Sequence, residues 1–114
     1  MKLVFDIDGV LCDEYHPDVN QRTPYTNRIM TVNDYYDSGH TIIIFTSRGM
    51  NSCNDDAIAS DLKYRAITEA QLAKWGVKYH ALFFGKPNAD VYIDNKNMLL
   101  EDFFEYPTQP WTDR

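Results

Sequence analysis

The chain has 114 residues, 25% of them charged and 44% hydrophobic, with a formal net charge of −6. That length makes one domain with room for a core, and the acidic balance argues against a protein held on nucleic acid by neutralising phosphates. No apolar run is long enough to span a bilayer, the start Met1-Lys2-Leu3-Val4-Phe5 lacks a signal-peptide core, and Cys12 and Cys53 form neither a disulfide framework nor a zinc spacing, so a reduced, cytoplasmic setting is expected.

Lys2 to Ile7 reads as a buried strand that ends in Asp6-Ile7-Asp8-Gly9. Side chains alternate along a strand, so Asp6 and Asp8 share a face, roughly 6.5–7 Å apart. Charges at the end of a buried strand need a cation, a proton or a basic partner. The polar stretch Asp13 to Thr23 reads as a loop or flap. Thr23-Pro24 then supplies a helix cap and first helical position, for a helix carrying Ile29, Val32 and Tyr36 on one side and stopping at Gly39. Thr41 to Thr46 is an unbroken β-branched strand of the kind covered on both faces. Asp55 or Asp56 caps a long helix with apolar contacts at Ile58, Leu62, Ala66, Ala70 and Ala73, ending at Trp75-Gly76. Further strands are expected near Tyr79 to Phe84 and from Asp90 to Ile93, and a short helix around Met98 to Phe104. Residues 105–114 read as an extended tail of the same single domain.

Alternating strands and helices imply a mainly parallel sheet with helices on both faces. Such sheets bind ligands beyond the carboxyl ends of their strands, at a switch point in strand order. Polar residues collect after every expected strand: Asp6 and Asp8, then Thr46-Ser47-Arg48, then Lys86, then Asp94-Asn95. Four strand ends converging on one edge outweigh any single motif, and they demote the ordinary Asp-Gly turn as an account of the first pair. Arg48 either contacts substrate or pairs with a surface acid. His16, His40 and His80 show no metal-ligand spacing.

Asp6-Ile7-Asp8-Gly9-Val10, Phe45-Thr46-Ser47-Arg48, Gly85-Lys86-Pro87 and Ile93-Asp94-Asn95 resemble, in order, the four motifs of the haloacid dehalogenase superfamily of phosphohydrolases. Thr46 to Met50 and Gly85 to Asp94 look most like small phosphatases of capsule polysaccharide biosynthesis. The resemblance implies a Rossmann-like three-layer sandwich with the first strand central and the fourth beside it. It implies Asp6 as a nucleophile that becomes an aspartyl phosphate. Asp8 would be the acid and base, protonated near neutral pH because a neighbouring carboxylate raises one member of such a pair. Thr46 would hold a phosphoryl oxygen and Lys86 the phosphoryl charge, with Gly9, Ser47 and Arg48 lining the substrate. Mg²⁺ would sit on the Asp6 carboxylate, the Asp8 carbonyl, and Asp94 or Asn95, many relatives having two acids where this chain has Asp-Asn.

Neither inter-motif gap holds a cap domain. An open site of this kind calls for a homo-oligomeric neighbour or a bulky substrate to exclude water. The leading expectation is a Mg²⁺-dependent phosphomonoesterase acting on a sugar phosphate or similar small metabolite, with no membrane and no nucleic-acid partner. Its rivals are a nucleotide or nucleic-acid terminal phosphatase and a catalytically silent phosphate-binding module.

Overall fold

The computed structural model describes residues 1–105, so the tail expected from residue 106 onward lies outside the described residues. Three parallel strands, β1 (Lys2–Phe5), β2 (Thr41–Thr46) and β3 (Ala81–Phe84), form one open sheet in the order β1-β2-β3. Lys2 pairs with Thr41 and Phe5 with Ile44, and Ile43 pairs with Ala81 and Thr46 with Phe84. Helix α1 (Thr26–Asp37) links β1 to β2, helix α2 (Ala57–Lys74) links β2 to β3, and a short α3 (Leu100–Phe104) closes the described chain. The motif-bearing segments thus leave the carboxyl ends of neighbouring strands, at one edge of a small α/β domain.

Strand crossovers are right-handed, so consecutive strands laid down in one direction put both connecting helices on the same face. The core agrees: Ile29 and Val32 of α1 and Leu72 of α2 pack in one buried cluster with Ile42 and Ile44 of β2, Phe5 of β1 and Leu82 of β3. Phe103 of α3 joins it edge-on to Phe5, with ring centroids 5.3 Å apart. On the opposite face Val4 and Phe83 are exposed. The described residues therefore make one sheet and one helical layer, with β1 at an edge. The three-layer, first-strand-central arrangement expected from sequence is not formed among them.

The reason lies in the segment expected as a fourth strand. Val91, Tyr92 and Ile93 are exposed and join no ladder. Local bonds take the place of strand pairing, since the Tyr92 hydroxyl donates to the Pro87 carbonyl and the Asn97 amide donates to the Tyr92 carbonyl.

The helix starts also differ. Thr23 and Pro24 do not cap α1, because they close the preceding loop: Asp13 N–H donates to the Thr23 carbonyl at 3.0 Å, and Cys12 bridges to Pro24. Tyr25 occupies the cap position without a side-chain hydrogen bond. In α2 the expected cap is present, with the Asp56 carboxylate accepting from the Ile58 and Ala59 amides. Its buried stripe, however, is Ser60, Thr68, Gln71 and Leu72, while Ile58, Leu62, Ala66, Ala70 and Ala73 face outward. The two stripes are two residues out of phase, about 200° around a helix.

Lys86 depends on the turn that precedes it. Gly85 has φ +95°, and a Cβ there would lie 2.7 Å from Ala57 Cβ at the start of α2. Gly39 also has φ +95° but open space around it. Gly85→Ala should therefore cost about 2–3 kcal/mol, from a left-handed penalty plus overlap, against about 1–2 kcal/mol for Gly39→Ala. Urea denaturation of the two variants measures the difference.

Candidate functional site

Asp6 leaves the end of β1 with one carboxylate oxygen accepting from the Ile7 amide at 2.7 Å and the other from Lys86 Nζ at 2.9 Å. Lys86 arrives from the end of β3. Its amide donates to the Thr46 carbonyl at 3.2 Å, and its ammonium also lies 4.5 Å from the centre of the Tyr92 ring. The last residue of β2, Thr46, is fully buried, and its hydroxyl oxygen accepts from the Arg48 amide at 3.1 Å. Thr46 thus holds the turn after β2 and does not line open space.

Asp8 is the most heavily bonded group of the site. Arg48 donates to both of its oxygens, Nε to Oδ2 and Nη2 to Oδ1, each at 3.0 Å. Its remaining nitrogen, Nη1, donates to Thr68 Oγ1 of α2 at 3.2 Å. With a side chain only 1% exposed and every nitrogen bonded inside the protein, Arg48 positions Asp8. Of the two roles expected from sequence, the structure shows pairing with an acid, one that is part-buried and not on the surface. A second arginine, Arg22, reaches Asp8 Oδ1 at 2.8 Å, and Cys12 Sγ donates to the same oxygen at 3.3 Å.

These partners settle the charge of Asp8. Burial alone pushes its carboxyl up, but the hydrogen bonds and charge of Arg48, then those of Arg22, outweigh burial and hold it below the ordinary value. This runs against the sequence expectation of a protonated Asp8, because two guanidinium groups favour the anion. Burial, followed by the charge of Asp8, pushes the Cys12 thiol up to about 12, so that thiol is a fixed donor.

Arg22 was not among the residues expected from sequence. It is delivered by the loop between β1 and α1, which braces itself. The Asp13 carboxylate accepts from the amides of Tyr15, His16 and Thr23, Arg22 Nε donates to the His16 carbonyl at 2.9 Å, and Gln71 of α2 donates to the Val19 carbonyl. A loop arginine fourteen positions after Asp8 carries no motif, and the one local signal is Asp13, an acid placed to close a turn. Thr68 and Gln71 were missed for the same reason, as polar residues inside a helical pattern.

Gly9 has φ +82°, and a Cβ there would lie 2.8 Å from Glu14 Oε2; its carbonyl accepts from Arg28 at 3.2 Å. Ser47 is half-buried on the turn after β2, with no side-chain hydrogen bond among the described residues. Asp94 and Asn95 are exposed, and Asp94 Oδ1 accepts from the Lys96 amide. The described residues gather no group of three or more His, Cys, Asp or Glu side chains able to hold a metal. Of the ligand set expected from sequence, the Asp6 carboxylate is engaged with Lys86, and the expected Asp8 ligand is its backbone carbonyl, which the arginines on its carboxylate leave untouched.

Among solved structures, a structural-genomics target from Vibrio cholerae is similar at a TM-score of 0.85 and 27% identity, covering 92% of this chain and 88% of that one. A chain of the Pnkp1/Rnl/Hen1 complex is similar at a TM-score of 0.56 and 22% identity, covering 96% of this chain and 35% of that one. The second likeness is one of fold alone. No family model matches the chain, and no curated protein matches it. Together they support a small α/β domain, and no described helix is long and apolar enough to cross a membrane.

Because Arg48 is buried on Asp8, Asp8→Asn should cost about 3–5 kcal/mol, the penalty of a buried charge losing its partner. A lowered carboxyl pKa contributes stability in full above the unfolded value and loses it as pH falls toward the folded one. The stability gap between wild type and Asp8→Asn should thus be constant above about pH 5 and narrow below about pH 4. Chemical denaturation across that range measures it.

Proposed function

We propose that the protein is a phosphomonoesterase of the haloacid dehalogenase type, acting on a small phosphorylated metabolite such as a sugar phosphate. One observation carries this reading: two acids one residue apart at a strand end have separate cationic partners, Lys86 on Asp6 and Arg48 with Arg22 on Asp8. Asp6 is the less enclosed of the two and is the nucleophile. Its carboxylate oxygen forms a bond to phosphorus as the bond to the leaving oxygen breaks, and the electron pair departs with that oxygen. Lys86 faces the phosphoryl oxygens as a compact charge. Water then attacks phosphorus as the bond to the Asp6 oxygen breaks, giving its proton to Asp8, which starts as the anion this step needs and passes the proton on to solvent, while phosphate leaves and the Asp6 carboxylate is restored. Thr46 contributes through the turn that carries Arg48.

Mg²⁺ dependence enters from the family resemblance, and no step above runs through the cation. The same resemblance places the segment near Asp94 beside β1 in a three-layer sandwich. The absence of an inserted cap among the described elements leaves a second subunit or the substrate itself to cover the site.

Since Asp8 is ionised at rest, breaking the ester bond receives little proton assistance, and aryl phosphates should be cleaved faster than alkyl phosphates. A phosphoester screen with and without Mg²⁺ tests the reading. Asp6→Asn should lower the rate by about three orders of magnitude or more, the scale of removing a nucleophile. Activity surviving in Asp6→Asn would overturn the covalent route, and phosphate binding without any turnover would favour a silent module.

A further inference from the structure

The two arginines on Asp8 are unequal. Arg48 neutralises the carboxylate with both arms of its fork and is sealed from solvent, so the charge of Asp8 needs nothing more. Arg22 brings a second positive charge to a carboxylate already paired. Its side chain is 15% exposed, against 1% for Arg48. Nε is bonded to the His16 carbonyl and Nη1 to Asp8 Oδ1, while Nη2 has no partner among the described residues.

Neighbouring acids leave its free arm unbonded, although Asp13 feels its charge. The Asp13 carboxylate is engaged with three backbone amides of its own loop. Glu14, whose carboxylate lies beside Gly9, is exposed and makes no ion pair with Arg22. A guanidinium held on a braced loop, half enclosed and with one arm free, suits an oxyanion brought from outside. Fixing it beforehand lowers the ordering cost of that contact.

Position decides which oxyanion. Lys86 stands at the nucleophile and Arg22 at the acid-base residue, on the side from which the leaving group departs. We propose that Arg22 receives a second anionic group, a carboxylate or a further phosphate, carried on the alcohol part of the substrate. The site then selects phosphomonoesters of anionic alcohols over those of neutral ones. This rests on the hydrolase reading above and narrows its substrate class.

Matched pairs test it: 2-phosphoglycolate against 2-hydroxyethyl phosphate for the carboxylate, and glucose 1,6-bisphosphate against glucose 6-phosphate for the phosphate. Wild type should favour the anionic member of at least one pair by about tenfold or more in kcat/KM, and the pair that shows it names the anion. Arg22→Gln should bring that ratio close to one, through KM more than kcat, and Arg22→Lys should keep most of it. Titration calorimetry of the carboxylate pair on wild type and Arg22→Gln reads the same preference as a Kd ratio without turnover, and thermal melting confirms that the variants fold. A wild type that hydrolyses p-nitrophenyl phosphate yet shows no preference in either pair overturns the inference and leaves the hydrolase reading standing. Equal losses on both members of each pair in Arg22→Gln also overturn it. Failure to cleave any phosphoester overturns the hydrolase reading, and the calorimetric ratio still decides for or against Arg22.

Discussion

The buried pairing of Asp8 with Arg48 is the constraint on which the rest of the site depends. One guanidinium joins three elements: its fork closes on the residue that follows β1, its backbone belongs to the turn after β2, and its third nitrogen reaches Thr68 on α2. An arginine with a 1% exposed side chain is tolerable only if every donor is met. That requirement fixes how α2 rotates. Turning the helix to bury Ile58 and Leu62 would gain apolar area but strand Arg48 without Thr68. A buried Nη1 donor left without a partner costs about 1–3 kcal/mol, comparable with one or two aliphatic side chains left in water.

This explains where sequence reasoning succeeds and where it stops. The acids at the end of β1, the unbroken strand Thr41–Thr46, the Asp56 cap and the inward face of α1 are local signals, written in period, capping and turn chemistry, and all four are present. The face of α2 is not local. Its apolar residues at Ile58, Leu62, Ala66, Ala70 and Ala73 make a convincing stripe, yet the buried one is Ser60, Thr68, Gln71 and Leu72. Ser60 meets Met50, Thr68 meets Arg48 and Gln71 meets Val19. Those partners sit on loops far away in sequence, so hydrophobic periodicity cannot see them. Arg22 is invisible for the same reason: its role is fixed by a contact with Asp8, and nothing in its own neighbourhood announces it. The apolar run Val91-Tyr92-Ile93 fails in the opposite sense, being strand-like locally while the Tyr92 carbonyl accepts from the Asn97 side-chain amide and the Tyr92 hydroxyl ties the run back to the Pro87 carbonyl.

The charges of the site are sorted by element. Each strand end contributes one member of a pair: β1 the two acids, β2 the arginine, β3 the lysine. Like charges one residue apart on a strand disfavour each other's ionised form. Here each carboxylate has its own cation, Lys86 on Asp6 and Arg48 with Arg22 on Asp8. Asp6 is held by a single flexible ammonium that can exchange partners. Asp8 is held by a rigid fork that cannot let go without exposing a buried charge. A compact ammonium and a rigid fork thus hold the two carboxylates in different ways.

The strand order adds a further step. In open α/β sheets the binding crevice comes from a reversal in strand order, where adjacent loops diverge to opposite faces. The described order β1-β2-β3 has no reversal, and the helices lie on one side. A crevice at this edge must therefore be walled by a loop. The segment between Asp13 and Thr23 borders this edge: it is closed at its neck by the Asp13–Thr23 bonds, tied to α2 through Val19 and Gln71, and set against Asp8 through Arg22. Its bracing by the Asp13 carboxylate makes it a fixed wall, which argues against a flap that folds over the substrate. On the proposed reading, a fixed wall leaves recognition of a substrate to the charges already in place.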